Sequence, residues 1–129
     1  MRRAVIFRTM IGCAFVATVA AGIARAGELG RLQCTGVLPA WQMEFEAKSG
    51  TLTTREAIEM PVMNITRAEG RDWPKALTFV GDRDTAIAIV TPQACKLNET
   101  AFDHHILVLT QQDDQPILLT GCCVSVAPE

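Results

Sequence analysis

Two cysteines, Cys122 and Cys123, stand side by side near the C-terminal end, and two more, Cys34 and Cys95, lie far upstream. A disulfide between neighbours would strain the peptide that joins them. On an extended strand, adjacent side chains point to opposite faces. Cys122 and Cys123 therefore reach in different directions, one toward Cys34 and the other toward Cys95. Both pairings of that kind satisfy the two-face geometry. Closing the 27-residue separation from Cys95 to Cys122 stabilises a fold by roughly 3–4 kcal/mol. That is a large share of the net stability of a small domain, about 5–10 kcal/mol. A structural zinc site favours cysteines two to four residues apart, and a redox motif takes Cys-x-x-Cys. Neither spacing is present, so the expectation is two structural disulfides and no cofactor.

Disulfides belong to an oxidising compartment, and the first 26 residues read as the route there. Arg2, Arg3 and Arg8 form a basic start, Met10 to Ile23 is apolar, and Ala24-Arg25-Ala26 supplies the small residues of a peptidase site. The apolar run of about 14 residues is short of the roughly 20 that span a bilayer. Residues 1–26 are thus read as a signal peptide and 27–129 as one domain, exported to the periplasm or secreted. Lipidation at Cys13, within Met10-Ile11-Gly12-Cys13, is the weaker alternative. Residues 27–129 carry 8 basic and 14 acidic side chains, net −6. That balance argues against nucleic acid as a partner, and no stable membrane span is expected after cleavage.

Beyond residue 26 the pattern is of short strands between turn signals. Strands are predicted at Gly30–Val37, Trp41–Ala47, Thr51–Thr54, Val62–Thr66, Ala76–Val80, Thr85–Val90, Ile106–Thr110 and Pro116–Cys123. Lys48-Ser49-Gly50, Glu69–Asp72, Gly81–Asp84 and Gln111–Gln115 are turns. Thr54–Met60 is predicted as a short helical segment that Pro61 limits. The fold class that follows is mainly β: a small antiparallel barrel or sandwich of about seven or eight strands, stapled by disulfides.

Few residues invite chemistry. His104 and His105 could ligate a metal, with Asp103 orienting one ring. On a strand, however, they face opposite ways. Thioether and imidazole suit copper, so Met60 and Met63 join the histidines in a rival reading as a copper- or zinc-binding envelope protein; Met43 is expected in the core. Trp41 and Trp73 each sit near a proline, where an indole either lines a ligand pocket or seals one end of a small core. Glu44 and Glu46, like Asp82 and Asp84, read as solvating charge rather than a catalytic pair.

Cys34-Thr35-Gly36-Val37-Leu38-Pro39-Ala40-Trp41-Gln42-Met43-Glu44-Phe45 resembles the Cys-x-Gly-x-Glu-Pro-Phe-Trp-x-Leu-x-Ile signature of a family of small bacterial envelope proteins, exported or lipid-anchored. In that family a second cysteine follows about 60 residues later and opens an Asp-Gly-Met-Ser-like stretch, and a strand ending in Gly-Cys or Gly-Cys-Cys closes the domain. Cys95 and Gly121-Cys122-Cys123 occupy those places. Leu38 and Ala40 replace the glutamate and phenylalanine, and Lys96–Thr100 keeps none of the polar stretch. The resemblance implies Cys95 paired with Cys122 and Cys34 with Cys123. It carries no activity. The functional expectation is a non-enzymatic exported domain that binds a small ligand or an envelope partner.

Overall fold

A computed structural model describes residues 29–112 and 115–127. The segment read as a signal peptide, with Cys13, lies outside the described residues. Eight strands follow one another: β1 (Arg31–Val37), β2 (Ala40–Phe45), β3 (Ser49–Thr53), β4 (Ala57–Arg67), β5 (Lys75–Val80), β6 (Thr85–Leu97), β7 (Thr100–Gln112) and β8 (Gln115–Val126). Each pairs antiparallel with the next, and β8 returns to β1, so the sheet closes into a barrel.

Alternation along most of the strands places one apolar set of side chains inside the barrel. Leu32, Cys34, Met43, Phe45, Leu52 and Met60 turn inward, as do Leu77, Phe79, Ala88, Val90, Ile106 and Val108, and all are buried. Large side chains face small ones. Phe45 meets Phe79 edge-on, with ring centroids 5.9 Å apart and planes at 75°. Gly50 makes room for that pair: a Cβ there would stand 2.7 Å from Phe79 Cε1. Across from Phe79 the register places Ala86 and then Thr110. The buried Thr110 hydroxyl donates to the Thr85 carbonyl at 3.0 Å, which removes the cost of an unpaired polar group. Burial of each large apolar side chain contributes about 1.5–3 kcal/mol, and this filled interior is the core.

Trp41 seals the junction of β1 and β8. Its indole is 3% exposed and Nε1 donates to the Thr120 carbonyl at 3.2 Å. The ring lies over Gly36 and Gly121. Any side chain at Gly36 would fall inside the indole, and one at Gly121 would meet the Thr35 carbonyl and stand 2.8 Å from Trp41 Cζ2.

Three predicted segments differ from the structure. Thr54–Met60 is not helical: Thr54–Glu56 form a bend and β4 begins at Ala57. The helix-favouring residues of that stretch are overruled by closure, which needs Ile58 and Met60 on the inner face. Pro61 is tolerated because it is the last partner of β3, and from Val62 the pairing passes to β5. Second, β6 does not stop at Thr91-Pro92 but continues to Leu97, through a register shift between Pro92 and Cys95 that absorbs the proline. Third, β7 starts six residues earlier than predicted, at Thr100, and pairs with that extension.

Candidate functional site

The Cys34–Cys123 disulfide joins directly opposed residues of β1 and β8, with Cα atoms 4.0 Å apart. It lies on the inner face, in the core. Cys122 points the other way and is joined to Cys95 of β6, Cα to Cα 5.7 Å. Since β7 lies between β6 and β8, and neighbouring strands lie about 4.8 Å apart, second neighbours ordinarily stand about 9.6 Å apart. The extended β6–β7 hairpin therefore leans out of the sheet at the register shift and folds over the outside of β8. Cys95 Sγ lies 3.5 Å from the Gly121 carbonyl oxygen, and Cys95, Lys96 and Leu97 share a shallow pocket with Val37 and Leu38 at the end of β1. We call this segment, Thr91–His105, the strap.

Beneath one side of the strap runs a groove of about 420 Å³. Its floor is the outer face of β1, β2 and β3. The register sets two rows there: Gln33, Glu44 and Thr51 in one, Thr35, Gln42 and Thr53 in the other. Rows two residues apart along a strand are separated by about 6.8 Å. Phe102 of the strap and Val124 of β8 form the apolar wall. The single carboxylate on the floor, Glu44, is engaged by the Arg31 guanidinium. The Thr35 hydroxyl donates to the Trp41 carbonyl at 3.2 Å, while the other floor side chains present amide and hydroxyl groups. Such a surface gives and accepts hydrogen bonds with little net charge, beside one aromatic ring. Its volume falls in the range of small-ligand sites, about 300–1,000 Å³.

The residues singled out in the sequence lie elsewhere. His104 and His105 diverge, as adjacent strand residues do. His104 Nδ1 lies 2.6 Å from Asp103 Oδ1, and its ring is 5.9 Å from that of Trp73. His105 Nε2 lies 3.3 Å from Thr120 Oγ1 on the strap side. Met43 and Met60 are buried, whereas Met63 is exposed. Among the described residues no three His, Cys, Asp or Glu side chains are grouped to hold a metal ion. Trp73 packs partly buried at the barrel edge, beneath Lys75, whose Nζ stands 4.5 Å from the ring centroid. Lys75 opens β5 in an inward position, one residue before the predicted strand, and was not singled out in the sequence. The floor rows were visible only as alternating polar residues. Phe102 carried no signal at all, because its place depends on the strap. The chain matches no known protein family, no curated protein and no solved structure.

Proposed function

We propose that the chain is a periplasmic or secreted binding domain, not a catalyst, and that its groove holds a neutral ligand rich in hydroxyl and amide groups, such as an N-acetylated sugar chain. The observation that carries this reading is the floor: two rows of Gln, Thr and one ion-paired Glu, with Phe102 as an apolar wall for a sugar face. Two disulfides fit an oxidising compartment. No helix among the described residues is long and apolar enough to cross a membrane. Acidic side chains with partners among the described residues include Glu44 with Arg31, Asp103 with His104, and Asp72 with Arg67, spread around the barrel.

The test is a nuclear magnetic resonance titration with N-acetylglucosamine oligomers of two to four units. The expected result is shift changes confined to the floor rows and Phe102, with Kd between about 10 μM and 1 mM. Phe102→Ala lowers that affinity about tenfold, the effect of roughly 1.4 kcal/mol, with both disulfides intact. Shifts that map to another face, or none up to about 10 mM oligomer, overturn the reading.

A further inference from the structure

The two bridges differ in how a reagent reaches them. Cys34 and Cys123 are 3% and 0% exposed and lie within the core, so a reagent meets them only after the barrel opens. The other bridge sits on the outside of the sheet. Cys122 is covered, at 1% exposed, but Cys95 is only half-buried and lines an open pocket of about 320 Å³ together with the exposed Leu38. Thiol–disulfide exchange begins with attack on one sulfur, and access decides which. Cys95 Sγ is therefore the sulfur attacked, and Cys122 Sγ the one that leaves.

Two groups flank that departure. The register sets His105 directly opposite Cys122 on the neighbouring strand, where Cβ atoms stand about 4.5–5.5 Å apart. Lys96 follows Cys95, and both Lys96 and His105 line the same pocket. A neighbouring ammonium or donating imidazole favours a thiolate over a thiol. Among the described residues no carboxylate lines that pocket to oppose them.

What the bridge holds is equally specific. Cys95 is the register partner of Phe102, the apolar wall of the groove. Residues 98–101 and 103 of the strap are exposed and add no buried contact. Phe102 thus keeps its place beside the β1–β3 floor through its paired neighbour's bond to β8.

We propose that Cys95–Cys122 is a reducible switch: a dithiol opens it while Cys34–Cys123 stays closed, and the strap then carries Phe102 away from the groove. One thiolate of the dithiol attacks Cys95 Sγ, and the Cys95–Cys122 bond breaks with its electron pair on Cys122 Sγ. The second thiolate attacks its fellow sulfur in the mixed disulfide and releases Cys95 Sγ. Two electrons pass to the bridge, the dithiol ends as a disulfide, and its two protons end on Cys95 and Cys122. The effect on ligand affinity rests on the binding function proposed above; the release of the strap does not.

The test treats the oxidised protein with graded dithiothreitol, quenches with iodoacetamide and locates the alkyl groups by tandem mass spectrometry. A species alkylated at Cys95 and Cys122 alone is expected to form at least about tenfold faster than any species alkylated at all four cysteines. In it, amides of residues 93–102 exchange at least about tenfold faster and the Phe102 ring signals move toward those of a solvated phenylalanine, while β2 and β5 keep their protection. N-acetylglucosamine oligomers bind it at least about tenfold more weakly than the oxidised form. Cys95→Ala with Cys122→Ala reproduces the released strap, and dithiothreitol then changes nothing further. A Cys-x-x-Cys dithiol protein run at equal dithiol concentration separates the sources: faster reduction supports a protein donor, slower a small one. Alkylation of all four cysteines together, or of Cys34 and Cys123 first, overturns the proposal. So do strap amides and Phe102 signals that reduction leaves unchanged, or oligomers that bind both forms equally. A released strap with no oligomer binding to either form supports the switch and overturns only the ligand.

Discussion

The barrel body and the strap are tied to adjacent residues of β8, and they are held in different ways. Cys123 turns inward, and its bridge to Cys34 joins opposed strands already paired by the backbone and surrounded by the core. Cys122 turns outward, and its bridge to Cys95 holds a hairpin that leaves the sheet. In the body, the disulfide adds to packing. In the strap it replaces packing: residues 98–101 and 103 are exposed, and 102, 104 and 105 only partly covered. Two bridges from adjacent residues thus serve different ends, one closing the fold and the other building the groove.

Removing the inner bridge tests this contrast most severely. Cys34→Ala with Cys123→Ala releases an 89-residue separation, worth about 4–5 kcal/mol by loop-closure entropy. Loss comparable to the whole stability is expected, read as a collapse of the urea midpoint. The two bridges are nested, so their effects do not add. Gly121→Val attacks the same seam without touching a disulfide. The new side chain meets the Thr35 backbone and the Trp41 ring, and a cost of about 3 kcal/mol or more is expected in the same measurement. A midpoint within error of wild type would mean that the seam yields and does not hold the fold.

Cys95→Ala with Cys122→Ala should cost less, up to about 3.5 kcal/mol for a 27-residue separation. Its signature is local: amides of Thr91–His105 exchange faster while those of β2, β5 and β7 beyond His105 keep their protection. Uniform loss of protection would show that strap and body unfold as one unit. The smallest effect is expected at the groove floor. Arg31→Ala removes a partly exposed ion pair with Glu44 and costs about 0–1 kcal/mol, less at high salt. A salt-independent loss of several kcal/mol would place Arg31 in the stabilising framework of the body.

How much of this was legible in advance follows the range of the interactions. Alternation in the predicted strands Gly30–Val37, Trp41–Ala47 and Ala76–Val80 is a local property, and each appears as a strand within a residue or two; Thr85–Val90 starts where predicted but runs on to Leu97. Two-face geometry required Cys122 and Cys123 to part, and they do. The choice of partner was open on geometry alone; the pairing found is the one the family resemblance implied. Thr54–Met60 misled because Glu and Ala favour helix and Pro61 resembles a stop. Those preferences amount to tenths of a kcal/mol per residue, against kcal/mol for burying Met60.

By itself the sequence determined the class of the fold and the inward set of side chains, because period-two alternation commits each residue to a face before any partner is chosen. It also determined that the two adjacent cysteines would part. Tertiary structure alone decided that the sheet closes between β1 and β8, that β6 passes through Pro92, and that Phe102 arrives beside the Gln and Thr rows of β1–β3. Those outcomes depend on register and on contacts between residues far apart in the chain, whose energies appear only once the strands are side by side.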